Sequence, residues 1–282
     1  MESSSKNPLA SYFRHAAIYL KLPSGGRWWG QGSLELPDNQ ELAVFPMTAK
    51  DEIVLKTPDA LMNGQGIVDV IQSCCPAIKN AWDMPSVDVD AVLISIRIAS
   101  YGNMMTFDSS CPHCQARNSH EVRLDGILSE VRCPEYHQQI TYRDLKIQLR
   151  PQPYFQVNRS NIIQFEEAKI LNTLNDTAIE PEEKAKLISI SVQKLADAGI
   201  DMCASATEYI ELPDGTRVTD MGHVKDFYHN AEKDLINHFQ ETFNLFNEQT
   251  KIKPRLLQCE ECTKEYQVEV NFDYSNFFGK GF

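Results

Sequence analysis

Four cysteines carry the chemistry that this sequence advertises most clearly. Cys111-Pro-His-Cys114 and Cys259-Glu-Glu-Cys262 are two Cys-x-x-Cys pairs, each a short loop that can turn two sulfurs toward one ion. Four thiolates with no open position describe a closed, tetrahedral, structural zinc site rather than a catalytic one. The plainer alternative is reduced, buried cysteines that pack as small hydrophobes, and a single pair could be a redox motif. The polar, charged residues around both pairs argue against that packing. Each pair also leads into a strand-like run, so the expectation is a zinc ribbon with Cys111, Cys114, Cys259 and Cys262 as ligands of a structural Zn2+. The pairs are separated by 144 residues, whereas compact ribbons place theirs about 15–20 apart. A whole module must be inserted between the two halves of the site.

The other candidates read as ordinary packing or surface residues. Cys74 and Cys75 are adjacent in an apolar helical stretch and cannot both face one ion easily. Cys133, His137 and His113 read as loop residues, and His223, His229 and His238 as solvated helix positions. The nucleobase-deaminase pattern needs an upstream His-x-Glu, but here His120-Glu121 lies downstream without the intervening residue. There is no His-Glu-x-x-His, Gly-x-Ser-x-Gly, Walker loop or dinucleotide fingerprint. The sequence predicts no enzyme.

Charge narrows the partners. With 27 basic against 39 acidic residues, the 282-residue chain has a net charge of −12, opposite to what phosphate neutralisation requires. No nucleic acid is expected. The 42% hydrophobic content suffices for a sizeable core, and the longest apolar stretch, 87–99, is interrupted by Asp88, Asp90 and Arg97, so no membrane span is expected. Eight cysteines without an N-terminal signal peptide point to a reducing compartment and no disulfides.

The elements that must position these residues follow from periodicity. Ile18, Leu20 and Leu22 predict a strand, and Leu34–Leu36 and Leu42–Phe45 two more about a Pro37-Asp-Asn39 turn, forming a small meander. Trp28 and Trp29 cannot both enter one small core, so one is expected at a partner interface. Thr48 with Asp51 predicts a capping box, and helices are expected over 49–56, 58–64 and 66–75. After Pro85, apolar residues on most sides predict a buried central helix, in which Arg97 needs a partner such as Asp59 or Asp69. Alternation at 120–124, 145–149 and 266–274 predicts strands. Between 160 and 251 helical stripes take over: Ile163, Ile170, Leu171 and Leu174; then Ala185, Ile188, Val192 and Leu195, stopping near Gly199; then Ile236, Phe239, Phe243 and Phe246. A hairpin over 209–218 turns at Pro-Asp-Gly.

The fold class is therefore α+β: a β-rich N-terminal part with a buried central helix, a discontinuous zinc ribbon, and a mostly helical insertion. The expected domains are 1–105, the ribbon and its strands in 106–150 plus 252–282, and the insertion in 151–251.

The segment Phe45-Pro-Met-Thr-Ala-Lys-Asp-Glu-Ile-Val-Leu-Lys-Thr-Pro-Asp-Ala-Leu-Met-Asn-Gly64 resembles the T4-like baseplate hub proteins of contractile-tailed bacteriophages. The likeness continues through Ile71–Pro76, Asp88-Val-Asp90, Ile96–Gly102 and Cys111–Cys114, and it is close over roughly the first 115 residues. It implies a non-enzymatic structural role in the virion tail, in the hub or its surroundings. It also implies synthesis in the host cytoplasm and other tail and baseplate proteins as partners, in multiple symmetric copies. The alternatives are an assembly factor absent from the finished particle and a zinc-ribbon nucleic-acid-binding protein. The aromatic end, 274–282, is expected to insert into a neighbour.

Overall fold

The computed structural model describes residues 7–57, 63–173 and 181–268. Strands β1 (Ile18–Leu20) and β2 (Leu42–Val44) pair antiparallel, with Ile18 opposite Val44 and Leu20 opposite Leu42. Their alternate residues Leu20, Leu42 and Val44 are buried. The expected third strand at Leu34–Leu36 is reduced to one bridge, Leu34 to Ile78. Its neighbouring backbone is taken by the 77–80 loop, with Glu35 N donating to Ala77 O and Lys79 N to Ser33 O.

Helix α1 (Ala49–Leu55) starts at the expected capping box: Thr48 Oγ1 accepts from Asp51 N, and Asp51 Oδ2 from Thr48 N at 2.7 Å. Arg14 pins the N-terminal arm there, donating to the carbonyls of Pro46 and Ser73 at 2.6 Å each. Of the helix expected at 58–64, positions 58–62 lie outside the described residues. Helix α2 (Gln65–Cys74) follows Gly64, whose φ of 77° suits glycine. Helix α3 (Ser86–Tyr101) is the buried central helix, covered from Val87 to Arg97 except at Asp90. It anchors a first core with β1, β2 and α2, in which Cys74 and Cys75 pack as apolar residues. Burial pushes the Cys74 thiol up to about 12 and raises Cys75 also, so both stay protonated.

Strands β3 (Met104–Ser110) and β4 (Arg117–Arg123) form a long hairpin, and the short α4 (Leu124–Leu128) buries Leu124 and Ile127 in the first core. A four-stranded antiparallel sheet then runs β5 (Gln139–Tyr142), β6 (Leu145–Leu149), β7 (Thr207–Glu211), β8 (Arg217–Val218). Between β6 and β7 come two long helices, α5 (Tyr154–Thr173) and α6 (Pro181–Ser205). After β8 come α7 (Met221–His229) and α8 (Lys233–Thr250). Ile140, Ile147, Leu149 and Ile210 of the sheet meet Tyr228 and the predicted stripe Phe239, Phe243 and Phe246 in a second core. The Pro-Asp-Gly hairpin is therefore an edge of this sheet, turning at Gly215 with a φ of 84°.

One helix boundary changes. Helix α6 does not stop near Gly199 but runs to Ser205: glycine costs a helix interior only about 1 kcal/mol, and burial of Cys203 and Ala204 in the second core holds the last turn. The stripe Ala185, Ile188, Val192 and Leu195 lies on this helix as its periodicity predicts, and all four residues are exposed. Finally, β9 (Arg255–Gln258) and β10 (Glu265–Val268) form a hairpin. The strand expected over 266–274 is described as far as Val268. Among the described residues no helix is long and apolar enough to cross a membrane.

Candidate metal centre

Two hairpin tips, far apart in sequence, meet at the four cysteines. The β3–β4 tip carries Cys111 and Cys114, and the β9–β10 tip carries Cys259 and Cys262. The two loops are built alike. Cys111 N donates to Ala116 O and Gln115 N to Cys111 O; Cys259 N donates to Lys264 O and Thr263 N to Cys259 O. In both, the residue after the second cysteine is left-handed, Gln115 at φ 62° and Thr263 at φ 58°. That turn lets each strand depart while both sulfurs of its pair face inward.

All four sulfurs lie within 4.8 Å of one another. Cys111 Sγ is 3.7 Å from Cys262 Sγ, and Cys114 Sγ 3.6 Å from Cys259 Sγ. A tetrahedron with sulfurs about 2.3 Å from its centre has edges of about 3.8 Å, so the residues fit a metal ion. The separations are far beyond the roughly 2.05 Å of a disulfide. Cys111 and Cys259 are buried, Cys262 is intermediate and Cys114 exposed.

Crowding four thiols sets their protons against one another. Cys259 is held down at about 6, chiefly by the Cys262 N–H aimed at its sulfur, with help from Glu261 N–H and Asn118 against desolvation. Cys114 moves the other way, to about 12: the Ala116 N–H favours its thiolate, but desolvation and the three neighbouring sulfurs outweigh it. Four adjacent thiolates repel, and a divalent cation is what lets all of them ionise together.

Residues without a sequence signal support the cluster. Asn118 is buried; its Nδ2 donates to Cys259 Sγ at 3.6 Å, and its Oδ1 accepts from Glu260 N at 2.8 Å. Tyr266 of β10 reaches across to β3 and β4, its hydroxyl 2.8 Å from Ser109 Oγ and 3.3 Å from His120 Nε2. Arg255 of β9 donates to Glu130 at 2.9 Å. Polar residues at alternating strand positions read as solvent-facing, so periodicity alone hides these bridges. His113 sits exposed in the first loop, and His223, His229 and His238 are exposed as expected.

A second constellation, missed in the sequence, is the buried Asp88 of α3. It accepts from Ser24 N at 2.8 Å, Ser24 Oγ at 2.6 Å and Trp29 Nε1 at 3.0 Å. Burial pushes its carboxyl up to about 6, and these three hydrogen bonds restrain the rise. The two tryptophans part between the cores, so they do not have to share one. Trp29 packs on the first core. Trp28, at φ 64°, meets Tyr136 of the second edge-on at 5.4 Å. Arg97 does not pair with Asp69. Its guanidinium lies over the Tyr101 ring at 4.5 Å, and its Nε and Nη1 have no hydrogen-bond partner among the described residues. Asp69 instead accepts from Gln65, and Asp59 lies outside the described residues.

None of the curated proteins compared with the chain matches it, and no solved structure does. One family does: the sequence pattern described as T4 bacteriophage base plate protein matches residues 30–279, extending the N-terminal likeness through the insertion and both cysteine pairs. The chain therefore belongs to the T4 bacteriophage base plate protein family.

Proposed function

We propose that this chain is a non-catalytic structural component of the contractile-tail baseplate, in or beside the hub. One Zn2+ bound by Cys111, Cys114, Cys259 and Cys262 staples its two distant hairpins. Family membership supports the baseplate role, with other tail proteins as partners and the virion tail as location. The observation that carries the mechanism is the convergence of four sulfurs from two hairpins on one point. Four thiolates fill a tetrahedral zinc ion and leave no position for a substrate or an activated water, so the ion's work is mechanical. It joins segments 106–150 and 252–282 around the mostly helical 151–251 insertion, and fixes how that insertion is presented to neighbours. Loading takes place in the reducing host cytoplasm, where thiols remain available.

Quantitative mass spectrometry of purified virions tests the placement. A permanent component is present at a fixed ratio to other baseplate proteins. Absence from intact particles, with abundance in infected cells, would make the chain an assembly factor instead.

A further inference from the structure

The first turns of α6 are built inside out. A surface helix ordinarily turns its apolar stripe inward, yet the covered positions in the first turns of α6 are Lys184, Leu187 and the buried Ser191. Ser191 and the α5 residue Glu167 are buried there, with Lys194 Nζ 3.5 Å from Glu167 Oε1. The hydroxyls of Ser160 and Ser191 and both Glu167 oxygens have no hydrogen-bond partner among the described residues. One residue round the helix lies the apolar face: Ala185, Ile188, Val192, Leu195 and Gly199, at alternating steps of three and four. That is the spacing of a coiled-coil seam. It stands in water, with Ile188 45%, Val192 60% and Leu195 41% exposed, and open space beside Gly199.

The seam is symmetric in size about Val192. Ile188 and Leu195 flank it, and the small Ala185 and Gly199 lie beyond. Two identical helices laid antiparallel with a two-fold axis at Val192 would set Val192 on its own copy, Ala185 on Gly199, and Ile188 beside Leu195, offset by one residue's rise of about 1.5 Å. Such self-complementarity is what an isologous contact requires. Ser189 and Ala196, which border the seam on its side away from α5, carry no charge, so the copies approach without like-charge contact.

We propose that this face of α6 is a contact between two copies of the chain, packed antiparallel across a two-fold axis at Val192. The seam is short against the roughly 800 Å² per partner of a stable stand-alone interface. The pair is therefore weak in free solution and is secured when a particle holds copies at high local concentration.

The test uses the full chain with its metal. Sedimentation from about 1 µM to about 1 mM reads self-association, which Leu195→Asp weakens by about tenfold or more. Circular dichroism of this variant stays native because the site is exposed. Register is read with a short bis-maleimide and mass spectrometry of linked peptides: Val192→Cys links to itself. Ile188→Cys and Leu195→Cys link to each other when mixed, and neither links to itself. A chain monomeric throughout, a dimer indifferent to Leu195→Asp, or links in another register would overturn the proposal.

Discussion

Asp88 does for the N-terminal half what the cysteines do for the hairpins: one side chain gathers a loop. Its carboxylate is the acceptor for Ser24 N, Ser24 Oγ and Trp29 Nε1. Asp88→Ala leaves three donors unsatisfied in or beside the core, and urea unfolding should show a loss of about 2–4 kcal/mol. The pH dependence has a definite sign. The folded value, about 6, lies above the ordinary 3.8, so the folded chain holds a proton that the unfolded chain has released. This contribution is fully present below about pH 4 and is lost as pH rises toward 6. Stability of the parent relative to Asp88→Asn should fall by roughly 2–3 kcal/mol from pH 4 to pH 7. A difference that is flat with pH would refute the assignment. Arg97 gives the opposite expectation. Its guanidinium is buried and, among the described residues, has no hydrogen bonds at Nε and Nη1, so Arg97→Met should leave stability unchanged or raise it by about 1–3 kcal/mol in the same assay. The sequence makes Arg97 legible as a problem and the cysteines legible as a site. It leaves Asp88 unread, because an acid on an apolar helix looks like a solvent-facing position until its loop partners are known.

Among the elements, the two hairpin tips meet at four sulfurs and are also joined by side chains that need no ion. Replacing Cys111 and Cys259 together by serine removes two of four ligands, one from each hairpin. Structural zinc in small peptides contributes about 10–16 kcal/mol of apparent binding energy, so the variant should open its hairpins at lower temperature. Hydrogen exchange should accelerate in β3–β4 and β9–β10 before it does in α3. Tyr266→Phe is milder: it removes the contacts to Ser109 and His120, and thermal unfolding should report about 1 kcal/mol. Loss of both effects after the metal is chelated would show that the ion, not Tyr266, orders the hairpins. The knuckles could be read from spacing alone because a Cys-x-x-Cys loop needs only local geometry. Strand β3 could not, since none of its residues is fully buried and its pattern has no apolar face to detect. The exposure of the α6 stripe was equally hidden, because periodicity reports that a helix has an apolar face and not what covers it.

Across the whole molecule, the first core belongs to the N-terminal strands with α2 and α3, and the second joins β5–β8 to α7 and α8. Trp28 and Trp29, adjacent in sequence, tie the two together. That partnership depends on strands contributed from either side of α5 and α6, which a pass along the chain separates and only the sheet register brings together. The overall class was legible because each periodic stretch is strong. The pairing of distant strands was legible only where cysteines marked it. The aromatic end beyond Tyr274 is expected to act between molecules: truncation there should leave the monomer's unfolding transition intact and weaken its incorporation into tails, measured by complementation of tail assembly. An unfolded truncated monomer would assign that end to the core instead. An electron-microscopy map of assembled tails checks both the baseplate placement and the metal staple in one measurement. The chain is expected within the baseplate, with a single compact density at about 2.3 Å from each of the four cysteine sulfurs. A map in which the chain is absent from the tail, or in which the two hairpins lie apart with nothing between the sulfurs, would contradict this expectation.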